Sequence, residues 1–116
     1  LGFLLLAVNI FLNLPNIVVI HAFSVGGIGV VILSMMARVT LGHTGRNVQN
    51  PPKAVAIALM VLVAGAVVRV IAPLVAESHY VVWVAASQVL WIAAFSIFIA
   101  TCFPMLVKPR TDGQFG

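Results

Sequence analysis

The chain has 116 residues, 63% of them hydrophobic and 7% charged, with a formal net charge of +4. A soluble domain carries about a quarter charged residues, so this chain lacks the polar material to cover a water-facing surface. With a mean hydropathy of +1.22 it reads as an integral membrane protein. The single cysteine, Cys102, excludes an intramolecular disulfide and any multi-cysteine metal site. The basic residues fall between apolar runs and form neither a basic stripe nor an aromatic platform, so nucleic-acid binding is excluded.

The apolar runs set the elements. Residues 1–12 span only about 18 Å as a helix, short of a bilayer core of about 30 Å. No charged region or small-residue cleavage site marks them as a signal peptide. They are expected to be the truncated end of a longer helix. Asn13-Leu14-Pro15-Asn16 reads as a turn, because proline cannot continue a helix and asparagine favours caps. A helix is expected over about 17–41, broken by Gly42-His43-Thr44-Gly45. Asn50-Pro51-Pro52 completes a polar loop. The next helix covers about 53–75, with Lys53 at its mouth and Arg69 inside it. Residues 76–79 make a tight connection, and the last helix runs over about 80–106. The expected fold class is therefore all-α: a polytopic membrane helix bundle in a single transmembrane domain over 1–116, three full transmembrane helices plus a truncated first one.

Lysines and arginines orient it. Arg38, Arg46 and Lys53 surround the loop 42–52, and Lys108 and Arg110 lie in the tail 107–116; the segments 13–16 and 76–79 hold none. The positive-inside rule puts residues 42–53 and the C-terminus in the cytoplasm. His21 and His79 then face the outer side, and His43 the inner.

The stretch His21–Arg46 holds the best candidates for chemistry. On a wheel of about 100° per residue, His21, Ile28, Ile32, Met35 and Val39 share one face. Ala22, Gly26, Gly29 and Ala37 share an adjacent one, where small residues let a neighbouring helix approach. His21 is a candidate ligand for haem iron or copper, since imidazole suits both and a polar ring in lipid needs a task or a partner; the plainer reading is a hydrogen bond to the next helix. A helix separates His21 from His43 by about 33 Å, so they cannot share one mononuclear metal. His79 and His21 on one side are a weaker possibility for a shared metal. His43, in its glycine-flanked break with Arg38 and Arg46 nearby, suits an anionic group such as a haem propionate, against the plainer reading of a helix cap before a basic loop. Arg69 costs at least a few kcal/mol at depth unless it pairs or snorkels. Glu77 is a possible partner, and a polar cavity or a propionate are the alternatives. Met35 and Met36 read as packing, Trp83 as an interfacial belt residue and Trp91 as packing. The chain's two acidic residues, in loops, exclude catalysis by a carboxylate pair, and no nucleophile triad or phosphate loop is present.

The run HAFSVGGIGVVILSMMARVTLGHTGR resembles the signature of the NnrS family, in which a His-x-x-x-Val-Gly-x-Ile-Gly helix leads to Met-x-Arg and then Leu-Gly-His-Thr-Gly-Arg. Arg69-Val70 with Pro73, Trp91-Ile92-Ala93-Ala94-Phe95, and Pro109-Arg110-Thr111-Asp112-Gly113 are similar to later stretches of the same family. The resemblance implies the C-terminal portion of a longer inner-membrane protein of bacteria that contains haem and copper and is tied to nitric oxide metabolism and the nitrosative stress response. It implies that His21 and His43 are the metal-binding histidines present, that Arg38, Arg46 and Arg69 match the family's arginines, and that the partners are the lipid bilayer, the remaining helices of the full-length protein and nitric oxide. His79 matches none of these motifs.

Two other function classes compete. Four spans in this length suit a small multidrug transporter, but such a carrier needs a membrane-embedded carboxylate, and Glu77 and Asp112 lie in loops. A structural or assembly subunit needs no chemistry from the histidines or arginines at all.

Overall fold

The computed structural model describes residues 7, 8, 11, 16–75 and 77–113. Most of the stretch expected as a truncated first helix, and the turn at 13–15, lie outside the described residues. Among the described residues three helices are long and apolar enough to cross a membrane: α1 (Asn16–His43), α2 (Lys53–Val75) and α3 (Tyr80–Val107). A short 3₁₀ turn, Glu77–His79, leads into α3. No strand occurs among the described residues, and the chain is a helical membrane bundle.

The helices α2 and α3 form the principal antiparallel pair, and α1 packs across both. Leu33 and Ala37 from α1, Val55, Ala58 and Leu62 from α2, and Ala94, Phe98 and Cys102 from α3 make the main core. A smaller cluster of Val18, Ala22 and Val70 joins α1 to the far end of α2. Lipid is as apolar as leucine, so burial alone does not hold such helices together; close backbone approach does. Gly65 is the clearest instance. A Cβ there would come within 3.1 Å of Leu90 Cβ and 3.4 Å of the Ser87 carbonyl oxygen. Gly26 faces Ala66 in the same way across the α1–α2 contact. Large aliphatic side chains cover the outside, Met60, Val81 and Val89 among them, as a lipid-facing surface requires.

One local feature departs from the sequence reading. Residues Ala22–Gly29 of α1 form a π-helix, whose i→i+5 bonding puts more residues in each turn than an α-helix does. A wheel drawn at about 100° per residue loses phase across it. His21 turns into the bundle, but Ile28, Ile32, Met35 and Val39, expected on its face, are 46–62% exposed toward lipid. The small residues Ala22, Gly29 and Ala37 are buried, because helix contact rather than the wheel fixes their side.

Candidate functional site

Two polar centres stand out, one toward each end of α1.

The first is built on Arg69 in α2. Its Nη1 donates to the Ser87 hydroxyl at 3.1 Å, to Gln88 Oε1 at 3.2 Å and to the Val84 carbonyl at 3.4 Å, all on α3. Its Nη2 lies 3.4 Å from His21 Nε2 on α1. A guanidinium only donates, so His21 accepts at Nε2 and a neutral ring carries its proton on Nδ1. Ser87 in turn donates to the Val84 carbonyl at 2.9 Å. Arg69 thus ties the three helices together through neutral partners, and these are the groups that offset its burial. Arg69 Nε is buried with no partner. Pro73, four residues on, has no N–H to offer the Arg69 carbonyl. A pocket of about 210 Å³ opens beside the cluster, lined by Val25, Arg69, Ser87, Gln88 and Trp91. Val25 belongs to the π-helical stretch, which begins directly after His21; such segments are rare and concentrate at functional sites.

The second centre lies where α1 ends. Thr44 caps the helix: its hydroxyl donates to the Thr40 carbonyl at 2.8 Å. The Gly45 amide donates to Gly42 and the Arg46 amide to Leu41, the paired bonds of a Schellman cap. Gly45 sits at φ +71°, a left-handed conformation that glycine adopts without steric cost. The tail then folds back onto this cap. Thr111 donates from its amide to the Thr44 carbonyl at 3.3 Å and from its hydroxyl to the Gly45 carbonyl at 2.9 Å. Asp112 sits directly over Gly45, where any Cβ would fall 2.9 Å from its carboxyl carbon. Asp112 also accepts from Arg110, at 2.9 Å from Nε and 2.6 Å from Nη2; those hydrogen bonds, with the negative charge, hold the guanidinium pKa above its usual value. The result is an open pocket of about 410 Å³ lined by Arg38, Val39, Gly42, His43 and Arg110.

The sequence-selected residues therefore separate. His21 and Arg69 meet at one centre; His43 and Arg38 meet at the other. Arg46 lies half-buried beyond the cap, its Nη1 buried without a partner. Three residues were missed. Ser87 and Gln88 sit in the last apolar run and were given no role, although polar residues inside a span are themselves a signal. Arg110 was read as a topology marker and as part of the family-like stretch Pro109–Gly113, without a place in a site.

The fold and these two cationic centres define a polytopic helical membrane protein with arginine–histidine clusters toward both ends of one helix. The family model described as NnrS protein matches residues 1–110, and the chain belongs to that family. No curated protein and no solved structure matches it.

The haem and copper implied by the family resemblance make different demands. Copper calls for several converging imidazole or sulfur donors. Among the described residues no three His, Cys, Asp or Glu side chains converge. Cys102 is buried in the main core, and Met35 and Met36 are exposed. His21 already accepts from Arg69 at Nε2. The described residues do not assemble a copper site. Haem asks less: one axial imidazole and cations for its propionates. His43 with Arg38 and Arg110 around one pocket, and the unpartnered Nη1 of Arg46 close by in the chain, fit that requirement.

Proposed function

We propose that this chain is part of a haem-containing membrane protein of the NnrS type that handles nitric oxide and serves in the nitrosative stress response. The observation that carries the reading is the family match over residues 1–110; the pocket at the end of α1 is compatible with it. In this reading the His43 imidazole would serve the iron. Arg38 and Arg110 pair with the propionates, and Arg46 adds a donor from the cap. Bound haem supplies an iron that takes a diatomic ligand. The tail residues Thr111 and Asp112 hold Arg110 in place against the cap. His21 and Arg69 stand apart from this pocket and act at the other centre. Copper, which belongs to the same reading, would draw its ligands from helices outside this chain.

The membrane is the bacterial inner membrane in this proposal, with residues 42–53 and the C-terminus cytoplasmic; the support is the clustering of lysine and arginine on that side. The test is the visible spectrum of the purified full-length protein. A haem Soret band that shifts when nitric oxide is added to the reduced protein supports the reading. A protein with no Soret band, or one indifferent to nitric oxide, overturns it.

A further inference from the structure

Arg69 is a guanidinium inside a membrane bundle whose hydrogen-bond partners among the described residues are neutral: a carbonyl, a hydroxyl, an amide oxygen and an imidazole. The chain has only two acidic residues, and one of them, Asp112, is held by Arg110 at the other centre. A cation at depth is stabilised far better by an anion than by neutral dipoles alone. Nor is the donor set of Arg69 filled. Of its five N–H groups, the two on Nη1 are shared among three acceptors, Nη2 has one acceptor for two hydrogens, and Nε has none although it is buried. Nε and Nη2 form the side of a guanidinium that grips two oxygens of one anion.

The surroundings suit such a ligand. The adjacent pocket of about 210 Å³ is larger than a small anion needs, and it is lined by Arg69, Ser87 and Gln88 on its polar side and Val25 and Trp91 on its apolar side. Gln88 accepts from Arg69 through its oxygen, which leaves its amide N–H groups as further donors. Among the described residues no carboxylate lines the pocket. The π-helical stretch sets Val25 against it.

We propose that Arg69, with Gln88 and Ser87, forms an intramembrane binding site for a small oxyanion or carboxylate. The anion completes the charge of Arg69, and its apolar flank lies against Val25 and Trp91. The same chemistry can be supplied by a free anion or by the phosphate of an anionic lipid. This site is independent of the haem reading at the His43 pocket.

The test is the thermal unfolding midpoint of the purified protein, measured with formate, nitrate and phosphate at constant ionic strength in zwitterionic nanodiscs and repeated in nanodiscs containing phosphatidylglycerol. Binding to the folded state alone raises the midpoint saturably with concentration. The expected result is a saturable rise for wild type that is lost in Arg69→Gln and kept in Lys108→Gln. Should Arg69→Gln fail to fold, Val25→Phe, which fills the pocket and leaves the charge in place, is expected to lose the rise as well. A rise with free anions in zwitterionic nanodiscs assigns the site to a soluble anion. A rise on adding phosphatidylglycerol, with no further response to free anions, assigns it to lipid phosphate. No rise under either condition, or the same rise in Val25→Phe and wild type, overturns the proposal.

Discussion

Replacing Gly45 by alanine probes how the tail and the cap of α1 hold each other. Gly45 is constrained twice. Its φ of +71° is left-handed, which costs an L-residue roughly 1–2 kcal/mol. Its missing Cβ is also the space that Asp112 fills, since a Cβ would sit 2.9 Å from Cγ and 3.0 Å from Oδ2. The carboxylate is the exposed end of a side chain and can swing away, so the collision is not itself expensive. Swinging away, however, undoes its grip on Arg110 and loosens the Thr111 hydrogen bonds to the Thr44 and Gly45 carbonyls. Those bonds are partly solvent-exposed and contribute about 1 kcal/mol together, at the low end for neutral pairs. The total is about 2–3 kcal/mol, of which the tail's share appears locally. About 1.4 kcal/mol is a tenfold change in an equilibrium, so Gly45→Ala is expected to raise tail opening by several-fold. Hydrogen exchange at the Thr111 amide and tryptic cleavage after Arg110 read that opening directly. Asp112→Ala in the Gly45→Ala background relieves the collision but not the backbone strain, so the two changes are expected to be non-additive. Unchanged exchange at Thr111 and unchanged cleavage at Arg110 in Gly45→Ala would refute the docking of tail on cap.

Four further outcomes follow from the packing. Gly65→Ala pushes α3 away, with a Cβ only 3.1 Å from Leu90 Cβ, and is expected to cost about 1–3 kcal/mol as overpacking. Gly42→Ala, whose Cβ meets Val48 at 3.9 Å, is expected to be neutral in the same denaturation series. Ser87→Ala removes the closest acceptor of Arg69 Nη1 and should cost about 1 kcal/mol; an unchanged midpoint would mean that the hydroxyl carries no part of the charge. Cys102 is buried, so maleimide should leave it unlabelled in the folded protein while labelling a Thr111→Cys variant readily; rapid labelling of Cys102 would contradict the three-helix core.

The spans were legible because length and apolarity are one-dimensional properties: a run long enough to cross lipid shows in the residue order itself. The cap was half legible. Gly42-His43-Thr44-Gly45 announced a break, and the bonds from Gly45 and Arg46 back to Gly42 and Leu41 give that break its form. What the order of residues could not show was pairing at long range. Thr111 meets Thr44 across 67 positions, and Arg69 meets His21 across 48; nothing in hydropathy encodes either contact. The wheel also failed for a physical reason, since it assumes one helical period and Ala22–Gly29 does not keep it. Glu77 was one possible partner of Arg69, being nearby in sequence, and its side chain lies outside the described residues. Ser87 and Gln88 bond Arg69 because α3 returns antiparallel to α2 and brings its second and third turns level with it.

If the pocket formed by Arg38, His43 and Arg110 holds the haem, as proposed, the haem content of purified full-length variants shows it most directly. Soret absorbance per protein is expected to collapse in His43→Ala, to fall partly in Arg38→Gln and Arg110→Gln, and to persist in His21→Ala. Full haem content in His43→Ala, or loss confined to His21→Ala, would contradict the assignment and move the cofactor to the other end of α1.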